Sequence, residues 1–178
     1  MMNLIKKMLF NFRLRSAGSY EKIEVYKKEY GFKAGKNIRI TGNVIFGTEA
    51  YLIEFGNDIT TTQNVYFHTH DGGVWVFRKE YPNINIYRKI VVGNNVFIGA
   101  NSSIMPGVTI GNNVVIAAGS VVTKDCEPDS VYGGVPAREI KTLSEYKEKV
   151  LKEALFTKSP DPVKRKAEII EYVMKGQK

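Results

Sequence analysis

Residues 90–125, which read IVVGNNVFIGANSSIMPGVTIGNNVVIAAGSVVTKD, repeat with a period of six. The position three residues after each inward aliphatic carries a residue that tolerates a positive φ. Three such steps make a unit of eighteen residues, so the pattern predicts three short strands per turn and a parallel β-helix. The aliphatic positions are Val92, Ile98, Ile104, Ile110, Ile116 and Val122, and the corner positions are Asn95, Asn101, Gly107, Asn113, Gly119 and Asp125.

The alternation within each strand predicts which side chains fill the coil. Side chains two residues apart face the same way, so Val96 and Ile98 are expected inside and Phe97 outside. Burial of each inward Val or Ile contributes roughly 1.5–3 kcal/mol. A β-sandwich is the weaker alternative, because its turns recur at about 8–12 residues rather than at a strict six.

Length and composition bound the class of protein. A chain of 178 residues with 43% hydrophobic residues suits one domain with small additions. The single cysteine, Cys126, excludes an internal disulfide framework and fits a reducing compartment. Lys6, Lys7 and Arg13 interrupt the apolar N-terminal run, which is untypical of a secretory signal. We therefore expect a cytoplasmic location, with peripheral membrane association left open.

The formal net charge of +8 has three interpretations. Nucleic acid is not expected as a partner, since the basic residues are spread over both ends and no binding motif is present. A phosphate-rich cofactor or an anionic membrane surface would also suit this charge.

The breaks in the period divide the chain into segments. We expect helices over 1–34, the β-helix over 35–138 and further helices over 139–178, with a loop extruded over about 71–89. Within the β-helix segment, we expect the regular coil to end at Cys126–Asp129, where Pro128 breaks the pattern. Such a loop on a rigid scaffold is a usual place for function.

The N-terminal segment is expected to form an amphipathic helix with one apolar face. That face can pack on the protein or on an oligomer partner, or it can lie on a membrane, and the sequence leaves both open. Its members are Leu4, Ile5, Met8, Leu9 and Phe12.

The chain has two histidines, His68 and His70, and both stand where the coil opens into the loop. They suit acid–base chemistry, although two exposed polar residues in a turn would look the same. A metal site needs three or four protein ligands, and only Asp71 lies nearby in sequence, so no metal is expected.

The coil, the loop and the Gly-Val-Pro-Ala-Arg segment at 134–138 together resemble the acetyl-CoA-dependent branch of the hexapeptide-repeat acyltransferases. That branch includes maltose and galactoside, xenobiotic and polysaccharide O-acetyltransferases, and the likeness covers roughly residues 40–142. It implies a left-handed coil, acetyl-CoA as co-substrate, and a homotrimer with active sites between neighbouring coils. The Asp-Gly-Gly-Val-Trp segment at 71–75 is most similar to polysaccharide-cluster members, which implies a sugar hydroxyl as acceptor.

The resemblance assigns the general base to His70, in a Thr-His dipeptide where relatives usually continue with Pro and this chain has Asp71. His68 has no counterpart and is expected on the outer strand surface. The sequence leaves open which group orients the second His70 nitrogen, and Asp71 and a backbone carbonyl are both candidates. Galactoside-type relatives have Ser where this chain has Ala100, so no hydroxyl is available here, and the Ala100 N–H is the expected donor to the oxyanion.

The same resemblance implies contacts for both substrates. The acetyl-CoA contacts are Ala100, Ala118, Thr123, Lys124, Arg138 and Lys141. For the acceptor, the resemblance matches Glu49 to a carboxylate that relatives use. Asp71, Trp75 and Arg78 are expected acceptor contacts from their place in the loop, where aromatic faces suit sugar rings and also suit plain loop packing. The rival functions are a xenobiotic acetyltransferase with the same chemistry and a non-catalytic β-helix binding module.

Overall fold

The computed structural model describes residues 4–157 and 159–175, and its strands build three sheets in strict rotation. The first sheet contains β1 (Lys33–Ala34), β4 (Ile53–Phe55), β7 (Ile90–Val92) and β10 (Thr109–Ile110). The second contains β2 (Ile38–Ile40), β5 (Ile59–Thr61), β8 (Val96–Ile98), β11 (Val115–Ile116), β13 (Ser130–Gly134) and β14 (Ala137–Thr142). The third contains β3 (Val44–Phe46), β6 (Val65–Phe67), β9 (Ser103–Ile104) and β12 (Val121–Val122).

Neighbouring strands are parallel in all three sheets, apart from the antiparallel pair β13–β14. Each turn of the chain adds one strand to each sheet, an arrangement that fits a left-handed parallel β-helix.

The predicted inward positions form the core. All six aliphatic residues of the repeat are at most 1% exposed. Ile98 pairs with Thr61 on one neighbouring strand and with Ile116 on the other, so side chains of successive turns stack. Phe97 is 42% exposed between the buried Val96 and Ile98, which confirms the predicted register.

The corners of the coil adopt the left-handed backbone conformation that the sequence predicts, with one exception. Asn95, Asn101, Gly107, Asn113 and Gly119 all have positive φ. Asp125 does not, and its Oδ1 instead accepts a hydrogen bond from the Thr109 N–H at 2.7 Å.

A ladder of asparagine side chains joins the turns at the corner that includes Asn95 and Asn113. The Asn112 Oδ1 accepts from the Asn94 N–H at 2.7 Å, and the Asn94 Oδ1 accepts from the Asn57 N–H at 2.9 Å. Gly93 and Gly56 stand beside the ladder, and a Cβ at Gly93 would lie 2.7 Å from the Asn112 Oδ1. Glycine is therefore required where successive turns approach this closely.

The expectation that the coil ends at Cys126 is wrong. Cys126 is buried and bridges Ile110 in parallel, and β13 then pairs with β11 as a further strand of the second sheet. The chain turns back through the cis Val135–Pro136 peptide into β14. The strands thus extend from Lys33 to Thr142.

Two helices cover the first turn of the coil, α1 (Leu4–Ser16) and α2 (Lys22–Tyr30). On α2, the centroid of the Tyr26 ring lies 4.9 Å from that of the Phe46 ring, and the Tyr26 hydroxyl donates to the Val44 carbonyl at 3.2 Å. Phe10 is the buried residue of α1. The predicted apolar face of α1 does not pack on the described chain, because all five of its members are 51–74% exposed.

The described residues after Leu143 form a separate compact unit. They include most of α3 (Leu143–Glu153) and all of α4 (Pro162–Lys175), whereas residues 139–142, expected to belong to the helical segment, are part of β14. Within residues 4–157 and 159–175, no helix combines the length and the apolar content needed to cross a membrane.

Candidate active site

The loop between β6 and β7 is pinned at its base. His70 and Tyr87 form an antiparallel bridge, the Asp71 N–H donates to the Ile86 carbonyl at 3.1 Å, and the Arg88 N–H donates to the Thr69 carbonyl at 2.9 Å. These bonds join both ends of the loop, so His70 stands on the rigid coil rather than on the loop's outer part.

A carboxylate holds one nitrogen of His70. The His70 Nδ1 lies 2.8 Å from the Glu49 Oε2, and the Thr69 hydroxyl donates to the same oxygen at 3.2 Å. The Thr48 hydroxyl donates to the other Glu49 oxygen at 2.5 Å. An ionised carboxylate only accepts hydrogen bonds, so the proton of the imidazole resides on Nδ1 and Nε2 keeps its lone pair.

The surroundings of Glu49 favour its ionised form. Burial of this side chain opposes ionisation, but hydrogen bonds from Thr48, His70 and Thr69 outweigh it and hold the pKa of the Glu49 carboxyl below its ordinary value. Glu49 can therefore stabilise a positive charge on the neighbouring imidazole.

The register of the coil explains why these two residues meet. Phe46 pairs with Phe67 on adjacent turns, and Glu49 and His70 each follow three residues later. Because both residues lie three positions after a paired strand residue, their corners stack on each other. The short 3-10 helix Ala50–Leu52 begins directly after Glu49. The equal spacing was visible in the sequence, but the extra residues after Glu49 obscured the alignment of the two turns.

This geometry answers the question that the sequence left open, namely which group orients the His70 ring. The Asp71 Oδ1 accepts from the Gly73 N–H at 2.8 Å and caps the 3-10 helix Gly72–Phe77. Neither Asp71 nor a backbone carbonyl orients the His70 ring, since Glu49 occupies Nδ1.

Two clefts meet at His70. One, of about 390 Å³, is lined on its far side by His68, Arg88, Met105 and Pro106. The other, of about 360 Å³, is lined on its far side by Thr48, Glu49, Trp75, Arg78, Asn85 and Tyr87. His70, Asp71, Gly72 and Ile86 belong to both. The imidazole therefore stands where ligands from the two sides would meet.

The second cleft has an ordered aromatic and cationic wall. The Arg78 guanidinium lies 5.4 Å from the centre of the Trp75 ring, and its Nη2 donates to the Asn85 Oδ1 at 3.1 Å. Trp75 itself remains 70% exposed, so its indole surface is available to a ligand.

His68 is half-buried beside the first cleft rather than fully on the outer strand surface. Its ring is parallel to that of Tyr66, with 6.1 Å between the centroids. Burial, and then the neighbouring His70, lower the pKa of His68.

The two predicted alanines are stacked on neighbouring turns. The Gly119 N–H donates to the Ala100 carbonyl at 2.7 Å. Across the described part of the chain, neither the Ala100 nor the Ala118 N–H has a hydrogen-bond acceptor. The small side chains leave two backbone donors open to a ligand.

The predicted cationic contacts lie elsewhere on the coil. Lys124 follows β12 with Thr123, and both are exposed, whereas Arg138 and Lys141 belong to β14. None of the six predicted cofactor contacts lines either cleft at His70. Within one chain, therefore, the candidate base His70 does not share a cleft with the candidate cofactor-binding residues.

The described residues, 4–157 and 159–175, contain no group of three or more His, Cys, Asp or Glu side chains that could hold a metal ion.

Comparisons with known proteins agree with this architecture. The family model described as bacterial transferase hexapeptide (six repeats) matches residues 89–124. Protein CapG of Staphylococcus aureus is 50% identical over 133 residues, which are 74% of this chain and 77% of that protein. The galactoside O-acetyltransferase of Escherichia coli (strain K12) is 38% identical over 120 residues, which are 64% of this chain and 58% of that enzyme.

A solved structure has the same fold. The hexapeptide-repeat-containing acetyltransferase of Vibrio cholerae, in complex with acetyl-CoA, superimposes with a TM-score of 0.59 at 27% sequence identity. The match covers 76% of this chain and 84% of that one.

Proposed function

Because the chain belongs to the hexapeptide-repeat acetyltransferases, we propose that it moves an acetyl group from acetyl-CoA to a sugar hydroxyl, with His70 as the general base. The acceptor we propose is a surface polysaccharide or its precursor, and the coil we propose is left-handed. The observation that supports this best is the His70–Glu49 pair, which uses Nδ1 of a histidine that lines both clefts.

The proposed chemistry needs one proton carrier. Acetyl-CoA, when bound, supplies an acetyl carbonyl activated as a thioester. The His70 Nε2 takes the proton of the acceptor hydroxyl as its oxygen attacks that carbonyl, and later gives the same proton to the departing sulfur. Glu49 keeps the Nδ1–H in place and stabilises the imidazolium between the two transfers. We assign Glu49 to this positioning role rather than to the acceptor.

The residues proposed for acetyl-CoA suit its chemistry. The unpaired N–H groups of Ala100 and Ala118 would bind the amide-rich pantetheine arm, and the Ala100 N–H would also stabilise charge on the acetyl oxygen. Thr123, Lys124, Arg138 and Lys141 are proposed to bind the phosphates and the outer part of the cofactor, to which cationic and hydroxyl groups are suited.

The proposed acceptor site is the second cleft. A sugar ring stacks well on an exposed indole face, and Trp75 supplies one beside Arg78. Asp71 lines the same cleft and has a carboxylate for sugar hydroxyls. These contacts would place an acceptor hydroxyl next to His70.

A homotrimer would bring the two separated surfaces together. We propose that the His70 cleft of one chain faces the Ala100 and Arg138 surface of the next. The exposed aromatic loop supports a covered interface, since Phe77 and Tyr81 are each 54% exposed. Sedimentation of an active monomer at micromolar concentration would contradict this assembly.

The direct test is an acetylation assay with a panel of acceptors. The purified protein is incubated with acetyl-CoA and either sugars, nucleotide-linked sugars or chloramphenicol, and products are identified by mass spectrometry. We expect an acetyl ester on a sugar, absent with His70→Ala. Acetylation of chloramphenicol alone would favour the xenobiotic function, and transfer to no acceptor by a folded protein that binds acetyl-CoA would overturn the proposal.

A further inference from the structure

Helix α1 has two apolar faces, and the protein uses one of them. Phe10 points to α2, where its ring lies 5.9 Å from that of Tyr26 and 5.5 Å from that of Tyr30. Leu14, one turn later, is partly buried against the same core. These contacts fix the orientation of α1 on the protein and leave its opposite side open.

The open side is a continuous apolar surface. With 3.6 residues per turn, its five members fall within an arc of roughly 140°, opposite the buried Phe10. Each of them is at least half exposed, which is unusual for one helix face of a folded protein. The members are Leu4, Ile5, Met8, Leu9 and Phe12.

Basic residues border this surface, and the helix has no acidic residue between Leu4 and Ser16. Lys6 and Arg13 lie along one edge and Lys7 lies beyond the other, whereas Arg15 falls within the arc at its C-terminal end. An apolar stripe edged by cations is the pattern of a helix that lies in a lipid headgroup layer, with apolar side chains at the acyl boundary and cations near the phosphates.

A second copy of the chain or an anionic lipid surface could cover this apolar surface, and the charge of α1 favours the lipid. A second copy would carry the same net charge of +8 and, with α1 against α1, would bring eight cations together. An anionic lipid surface is complementary to those cations and also accepts the apolar side chains. We propose that α1 docks the protein on an anionic membrane, in the plane of the surface.

The dimensions agree with in-plane docking. A helix of 13 residues is roughly 20 Å long, too short to span a bilayer of about 30 Å. A single short helix gives reversible binding that depends on both its apolar area and its charges. The enzyme would thereby work next to acceptors carried on membrane lipids.

Vesicle co-sedimentation of the full chain tests this. Wild type is mixed with phosphatidylcholine vesicles that contain phosphatidylglycerol, and with vesicles of phosphatidylcholine alone. We expect binding to the anionic vesicles that weakens as salt is raised, because exposed charges are screened. Lys7→Glu with Arg15→Glu should lower the partition coefficient about tenfold or more.

An apolar variant and a matched control separate the two contributions. Leu9→Ser with Phe12→Ser should also lower binding about tenfold, without loss of the fold, since both side chains are exposed. Phe156→Ser removes an aromatic ring that is 80% exposed outside α1 and should leave binding unchanged. Circular dichroism checks that each variant is folded.

Three outcomes would overturn the proposal: wild type that does not bind anionic vesicles, α1 variants that bind as well as wild type, or α1 variants that instead dissociate an oligomer in solution. The last result would show that a second copy covers α1. Transfer to a soluble acceptor does not involve α1, so the proposed acetyltransferase activity stands or falls separately.

Discussion

The regular turns at 90–125 and the extruded loop at 68–89 are built on opposite principles. In the turns, every inward side chain has an equivalent above or below it, and its burial is set by its place in the period. In the loop, Val74 is the buried hydrophobic residue, and aromatic rings such as Trp75 face outward. Stability is therefore repeated along the coil, whereas chemistry is concentrated where the repetition stops.

The largest expected effect lies at that junction. His70→Ala should lower the turnover number by roughly 10²–10⁴, the usual contribution of a general base. Affinity for acetyl-CoA should hardly change, because the base contacts the acceptor hydroxyl. His68→Ala is the matched control, since it disturbs the same segment and should cost much less. If His68→Ala is the more damaging while both proteins remain folded, the base has been assigned wrongly.

The free energy of unfolding should depend on the side chains of the regular turns much more than on those of the loop. Ile98→Ala removes a fully buried side chain and should lower the free energy of unfolding by about 2–5 kcal/mol. Trp75→Ala removes an exposed one and should change it by about 0.5 kcal/mol or less. Denaturant titration measures both. Equal losses would show that the loop contributes to the core as the turns do.

Cofactor binding should depend on β14 without affecting the chemical step. Arg138→Ala should raise the KM for acetyl-CoA by up to about fivefold, since an exposed charge contributes little, and should leave turnover nearly unchanged. Steady-state kinetics at saturating acceptor measures both constants. A large fall in turnover at constant KM would place Arg138 at the reacting centre instead.

A smaller effect should appear in the pH dependence of stability. Burial raises the pKa of the Cys126 thiol to about 12 from an ordinary 9.0. The folded state keeps the proton while the unfolded state loses it, so this stability is present below pH 9 and is lost as pH rises toward 12. Glu49 has a lowered pKa, so its contribution is present above the ordinary value of 4.5 and is lost as pH falls below it.

Denaturant titrations across pH would separate these two contributions. Cys126→Ala should flatten the alkaline fall and Glu49→Gln the acidic one. The account would be contradicted if Cys126→Ala changed only the acidic fall in stability and Glu49→Gln changed only the alkaline fall.

The coil was predictable from the sequence because its buried, exposed and corner positions recur with a fixed period. One register explains the burial of Ile98 and the exposure of Phe97, and it predicts the positive φ of Asn113 as well. The same reasoning failed at Cys126, where Pro128 looked like an end although the backbone continued into β13. A proline outside the hydrogen-bonded positions does not stop a coil.

The site was less predictable because it depends on contacts between turns. His70 followed from its place at the loop, and that role remains a prediction. Its partner Glu49 lies 21 residues earlier, beyond a short insertion that hid their stacking. The apolar face of α1 was predicted with its five members, but its exposure was left open, since the sequence does not show that α2 packs on the opposite side, at Phe10.

The central claim is that Glu49 acts through His70 at the junction of turn and loop. A double-mutant cycle tests it most directly, with turnover measured for wild type, Glu49→Gln, His70→Ala and the double variant. Glu49→Gln alone should cost about 10–100-fold, the usual effect of losing a residue that orients a functional histidine. In the His70→Ala background the same substitution should cost almost nothing, because no imidazole remains to be positioned. Equal losses in the two backgrounds would contradict the account and make Glu49 an independent acceptor contact.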